Sequence, residues 1–133
     1  MRILAIDYGR VRVGLAVCHA RGGLPRPLPI LHLDASFWDR LRGVVQEWEV
    51  ERIVVGFPLL ENGEEGEMAV EVREFARRVE EETGLRVELW DEGLTTWEAK
   101  GFLRERGVSE RRQKGKRDSV AAALLLERYL KGD

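Results

Sequence analysis

The chain has 133 residues, 44% hydrophobic and 35% charged, with a formal net charge of −2 and a single cysteine, Cys18. That length suits one domain able to bury its own core, while one cysteine excludes an internal disulfide and the two histidines, His19 and His32, lack zinc-ligand spacing. The longest uninterrupted apolar run, 120–126, falls far short of the ~20 residues a membrane helix needs; with no leader-like segment ahead of the first strand, the expected location is the cytoplasm.

In chain order, "RILAIDY" reads as a strand, and "RVGLAVCHA" as a second one joined to it by a tight turn at Gly9, so the two should form a hairpin. "RGGLPRPLP" reads as a Gly/Pro loop, and "ILHL" completes a three-strand meander. Ser36 stands where it would cap a helix whose apolar positions Phe37, Leu41, Val44, Val45 and Trp48 recur at three and four residues. "RIVVGFP" is a short, nearly all-apolar strand of the kind buried on both faces of a parallel arrangement. A loop, "LLENGEEGE", leads to a helix over 68–82 with the stripe Val72, Phe75, Ala76 and Val79. Another strand, "LRVELWDE", precedes "LTTWEAKGFLRERG", where Thr95 and Glu98 have capping-box spacing. "VSERRQKGKR" reads as a polar, basic loop, and the last helix runs over about 118–131. The order β-β-β-α-β-α-β-α predicts an α/β fold: a mixed five-stranded sheet with helices on its faces, in one domain covering 1–133.

The charge is unevenly placed. Residues 1–33 carry five Arg against one acid and 104–117 seven basic residues against two acids, whereas 61–82 hold nine Glu against three Arg. A basic pole of this kind could meet phosphates. The acids that draw notice sit at element ends: Asp7 at the end of the first strand, Asp91 and Glu92 at the end of the last, and Asp118 at the start of the last helix. If the first strand is central, these ends can converge. Converging carboxylates repel and raise one another's pKa unless a cation neutralises them, and oxygen-only ligands suit Mg²⁺ or Mn²⁺. Two such ions can activate water on one side of a phosphodiester and stabilise the leaving oxygen on the other. Taken singly, Asp118 reads as a helix cap, the Asp91–Glu92 pair as a solvated strand end, and Asp7 as the partner of Arg10 or Arg12. The joint pattern favours the metal site. Of the four Trp residues, Trp38 and Trp48 read as core, while Trp90 and Trp97 flank the acid pair and could stack on bases.

"DYGRVRVGLA", "VVGFPL", "DEGLTTWEA" and "GKRDSVAAALLLERYL" occur in an order, spacing and element context that resembles the YqgF/RuvX family, over nearly the whole chain. These are bacterial proteins of the ribonuclease H-like superfamily, described as Holliday junction resolvases and as nucleases maturing the 5′ end of pre-16S rRNA. The resemblance implies a ribonuclease H-like fold and metal-dependent phosphodiester hydrolysis, with Mg²⁺ or Mn²⁺ held by Asp7, Glu92 and Asp118. Strand alternation points only one of Asp91 and Glu92 inward, and the sequence does not fix which. Arg12, Thr95 and Thr96 match the family motifs; together with Arg10, Arg111, Arg112, Lys114, Lys116 and Arg117 they form the expected nucleic-acid contacts. The chain departs from the pattern in two places: Gly93 stands where the family has Arg, and Leu60 and Asn62 replace an Asn and an Asp after "VVGFPL".

The expected function is therefore an endonuclease acting on structured pre-rRNA. The first alternative is a Holliday junction resolvase acting on branched DNA, which should be a homodimer because it cuts two strands symmetrically. An idle RNA-binding protein is a further reading, as is an ATP-binding module, since "AIDYG" resembles the phosphate turn of actin-like ATPases. Those ATPases use two lobes.

Overall fold

The computed structural model describes residues 1–58, 65–91 and 110–131, the last of these with side chains from Ser119 onward. Five strands, β1 (Arg2–Asp7), β2 (Arg12–His19), β3 (Gly22–His32), β4 (Val50–Phe57) and β5 (Val87–Asp91), form one sheet in the order β3-β2-β1-β4-β5. β1 is central, antiparallel to β2 and parallel to β4, so the sheet is mixed. The helices among the described residues are α1 (Phe37–Glu47), α2 (Glu67–Thr83) and α3 (Glu110–Lys131).

Each face of the sheet is apolar because each is covered. Leu28, Leu15, Ile6, Val55 and Leu89 form one row across all five strands, on the face that packs against α1 and α2. Phe37 and Leu41 of α1 and the predicted stripe Val72, Phe75, Ala76 and Val79 of α2 are buried in that layer. On the other face, Ile3, Ala5, Ala16, Cys18 and Val54 meet Val120, Ala122, Ala123, Leu125 and Leu126 of α3. Burial on both faces explains why β1 and β4 read as nearly continuous apolar runs instead of alternating ones. α2 stops where Gly84 takes the left-handed conformation, φ 71°, and its N–H closes on the Glu80 carbonyl at 2.8 Å.

Three sequence expectations need correction. "RGGLPRPLP" is no loop, because β3 runs from Gly22 through Pro25, Pro27 and Pro29 to His32. β3 is an edge strand, one side of which pairs with no neighbour, so it tolerates residues without an N–H. Nor is "ERRQKGKR" a loop; α3 begins at Glu110, and Asp118 lies inside the helix instead of capping it. Glu, Arg, Gln and Lys are good helix formers, and a single Gly costs only ~1 kcal/mol. Ser36 does stand at the N-cap of α1, but its hydroxyl donates to Asp34 Oδ1 at 2.8 Å and caps nothing.

Candidate active site

Asp7 is the last residue of β1, half-buried, and pairs across the ladder with Gly14 of β2. It shares the strand face of Ile3 and Ala5, so it lies on the α3 side of the sheet. On the other flank β4 follows Val55, the partner of Ile6, with Gly56. Both strands beside Asp7 thus present a residue without a side chain on that face. Gly56 pairs with Trp90 and Phe57 with Asp91 on β5. Trp90 is partly buried and joins the α3 layer, edge-on to Tyr129 at 5.3 Å. Asp91 is exposed and shares the parity of Val87 and Leu89, which pack on the α1–α2 side. Asp7 and Asp91 therefore lie on opposite faces, two strand spacings or roughly 10 Å apart.

Beyond Asp7 the chain turns tightly at Gly9, where a Cβ would run into the backbone carbonyl of Arg12. The turn is tied to α2: Arg10 Nε lies 3.1 Å from both carboxylate oxygens of Glu71, and the Tyr8 hydroxyl donates to Glu71 at 3.4 Å. Arg10, expected to contact nucleic acid, thus has its guanidinium fork on Glu71. Arg12 is exposed at the start of β2. Arg10's hydrogen bonds hold the Glu71 carboxyl below the ordinary carboxylate range, while burial, reinforced by the Glu71 charge, raises the Tyr8 phenol. Because the folded pKa of Glu71 is depressed, its contribution is complete above the ordinary value of about 4.3 and is lost as pH falls through the lowered one. The Tyr8 ring proton resonances, followed by NMR, should therefore stay constant from neutral pH to about 5 and move only in stronger acid. Glu71→Gln should abolish that movement, and a transition at or above the ordinary carboxylate pKa would contradict the pairing.

Of the remaining expected site residues, Glu92, Thr95 and Thr96 lie outside the described residues, as does Trp97. Arg111, Arg112, Lys114, Lys116, Arg117 and Asp118 belong to α3 by their backbone. Among the described residues no three His, Cys, Asp or Glu side chains gather around a common point. One residue escaped the sequence reading: Ser119, 1% exposed, is the only fully buried polar side chain among the described residues. Its hydroxyl donates to the Leu28 carbonyl at 2.6 Å and accepts from the Leu15 N–H at 3.3 Å. The signal was there. Ser119 precedes Ala122, Ala123 and Leu126 by three, four and seven residues, which places a hydroxyl on the buried stripe of the helix.

A central strand paired antiparallel on one side and parallel on the other, with an acid at its end and a C-terminal helix across that face, defines the ribonuclease H-like fold. Thermus thermophilus RuvC shares it, with a TM-score of 0.63 at 19% identity over 99% of this chain and 96% of that one. The same protein in complex with a Holliday junction substrate aligns with a TM-score of 0.59. The chain belongs to the RuvX family, described as Holliday junction resolvase, which it matches over residues 1–132. A relative from an Anaeromyxobacter species, provisionally named a pre-16S rRNA nuclease, is 41% identical over 134 aligned positions, covering 99% of this chain and 98% of its own length. Membership in this family makes the chain a nuclease, a hydrolase of phosphodiester bonds. No helix among the described residues is long and apolar enough to cross a membrane.

Proposed function

We propose that residues 1–133 act as one cytoplasmic, metal-dependent endonuclease domain that cuts structured RNA at the 5′ end of pre-16S rRNA. The observation that carries this reading is Asp7: a half-buried carboxylate ending the central strand, turned toward α3 between two glycine positions. An acid in that setting suits a hard cation with oxygen ligands. Asp7, Glu92 and Asp118 would hold Mg²⁺ or Mn²⁺. Glu92 is preferred to Asp91 because Asp91 shares the α1–α2 side with Leu89, and because a two-strand gap favours the longer side chain. Divalent cations there would supply an activated water on one side of the phosphodiester and charge stabilisation for the leaving oxygen on the other. Arg12, Thr95, Thr96 and the basic residues 111–117, whose backbone belongs to α3, would bind and orient the nucleic-acid backbone.

A second reading is favoured by the family's description and by the likeness to RuvC in complex with a Holliday junction: a resolvase of four-way DNA junctions working as a homodimer. The deciding experiment offers a pre-16S leader RNA and a four-way DNA junction side by side, with Mg²⁺ or Mn²⁺, and measures the particle mass by light scattering. Cleavage of the RNA alone supports the rRNA reading. Paired symmetric cuts in the junction by a dimer would replace it, and binding without cleavage of either substrate would refute both.

A further inference from the structure

We infer that Ser119 is a positioning residue for the acid beside it, its hydroxyl fixing where α3 presents Asp118 relative to Asp7. The inference rests on the metal reading above. Leu15 and Leu28 face each other across β2 and β3 at the point where the register shifts after Val13↔Leu31. Ser119 inserts its hydroxyl there, taking the Leu15 N–H and giving its proton to the Leu28 carbonyl. Both backbone groups and the hydroxyl are thereby satisfied in a place closed to solvent.

The position of this bridge in the sheet matters most. Leu15 is also the cross-strand partner of Ile6, and the next row is Gly14↔Asp7. The helix is therefore pinned one row from Asp7, through the residue immediately after Asp118. Ala122 and Ala123, both fully buried, let the helix backbone come close enough for so short a side chain to reach the ladder. Elsewhere α3 is held by the aliphatic side chains of Val120, Leu125 and Leu126, and nearly three turns further on by Tyr129, whose hydroxyl accepts from Arg52 at 3.1 Å; Ser119 makes the directional contact next to Asp118. Hydrogen bonds are directional, so the hydroxyl fixes axial position and rotation as well. Loss of a group hydrogen-bonded to a metal ligand typically weakens metal binding 10–100-fold, and a hydroxyl acting one step further out, through the helix backbone, belongs at the lower end of that range.

The test is Mn²⁺ binding to the intact chain by titration calorimetry, with thermal unfolding recorded alongside. Ser119→Ala should weaken binding about tenfold. Leu126→Val, on the same helix but two turns away, should lower the melting temperature and leave binding unchanged. Ser119→Thr, which keeps the hydroxyl, should recover most of the affinity, and Ser119→Ala should add no further loss in an Asp118→Asn background. Should Ser119→Ala not fold, Ser119→Cys takes its place, since a thiol of similar size hydrogen-bonds only weakly: binding weaker than that of Leu126→Val supports the inference, and binding equal to it overturns the inference. Wild-type binding by a folded Ser119→Ala protein would overturn the inference while leaving the metal reading intact. Unchanged binding by Asp7→Asn would instead overturn the metal reading and this inference with it.

Discussion

Replacing Asp7 by Asn is expected to lower the rate of metal-dependent cleavage about a thousandfold while leaving the fold intact, a loss of about 4 kcal/mol in transition-state stabilisation. Asn has nearly the shape of Asp and can keep the rung with Gly14, so β1 stays in place between β2 and β4. What disappears is the charge. A neutral amide cannot balance a divalent cation, and the two neighbouring positions on that face are Gly14 and Gly56, neither of which can substitute a ligand. Single-turnover cleavage at saturating Mn²⁺, with circular dichroism to verify the fold, is the measurement. Cleavage within a few-fold of wild type would remove Asp7 from the catalytic set.

Phe37→Ala should have the opposite signature, costing about 3–5 kcal/mol of stability, a large share of the 5–15 kcal/mol typical of a domain. Phe37 is fully buried at the first turn of α1. Its ring meets Trp38 edge-on at 4.8 Å and lies 5.8 Å from Phe75 of α2, which in turn packs at 4.7 Å against Tyr8. Removing it leaves a cavity where both helices and the segment just beyond β1 meet. Urea unfolding should show a lowered midpoint with an unchanged slope. A loss below about 1 kcal/mol would mean that the surrounding rings close the gap.

Periodicity made some of the fold legible and left other parts hidden for physical reasons. The α2 stripe and the apolar runs of β1 and β4 are direct images of burial, so pattern alone placed them. β3 was hidden because proline and glycine argue against strand locally, whereas membership of a sheet edge is a tertiary fact. The start of α3 was hidden because a charged stretch of helix formers carries no apolar stripe. Asp7 was legible as an acid ending the first strand; that this strand is central came from the strand order, and its face from the register. The same register put Asp91 on the α1–α2 side, which alternation alone could not do because it has no absolute phase until a strand is paired. Ser119 was overlooked because a serine in a helix is ordinarily neutral, and its partners, Leu15 and Leu28, are remote in sequence.

The prolines of β3 have a consequence for how copies of this protein meet. A sheet edge with a full set of N–H and C=O groups is a template on which another chain can add a strand, the first step toward aggregation. Three of the eleven residues of β3, Pro25, Pro27 and Pro29, have no donor to offer an incoming strand. That border of the sheet is thus protected against continuous extension from molecule to molecule, even at high concentration. Any assembly of two copies through β3 would have to rely on side chains instead of on a shared ladder.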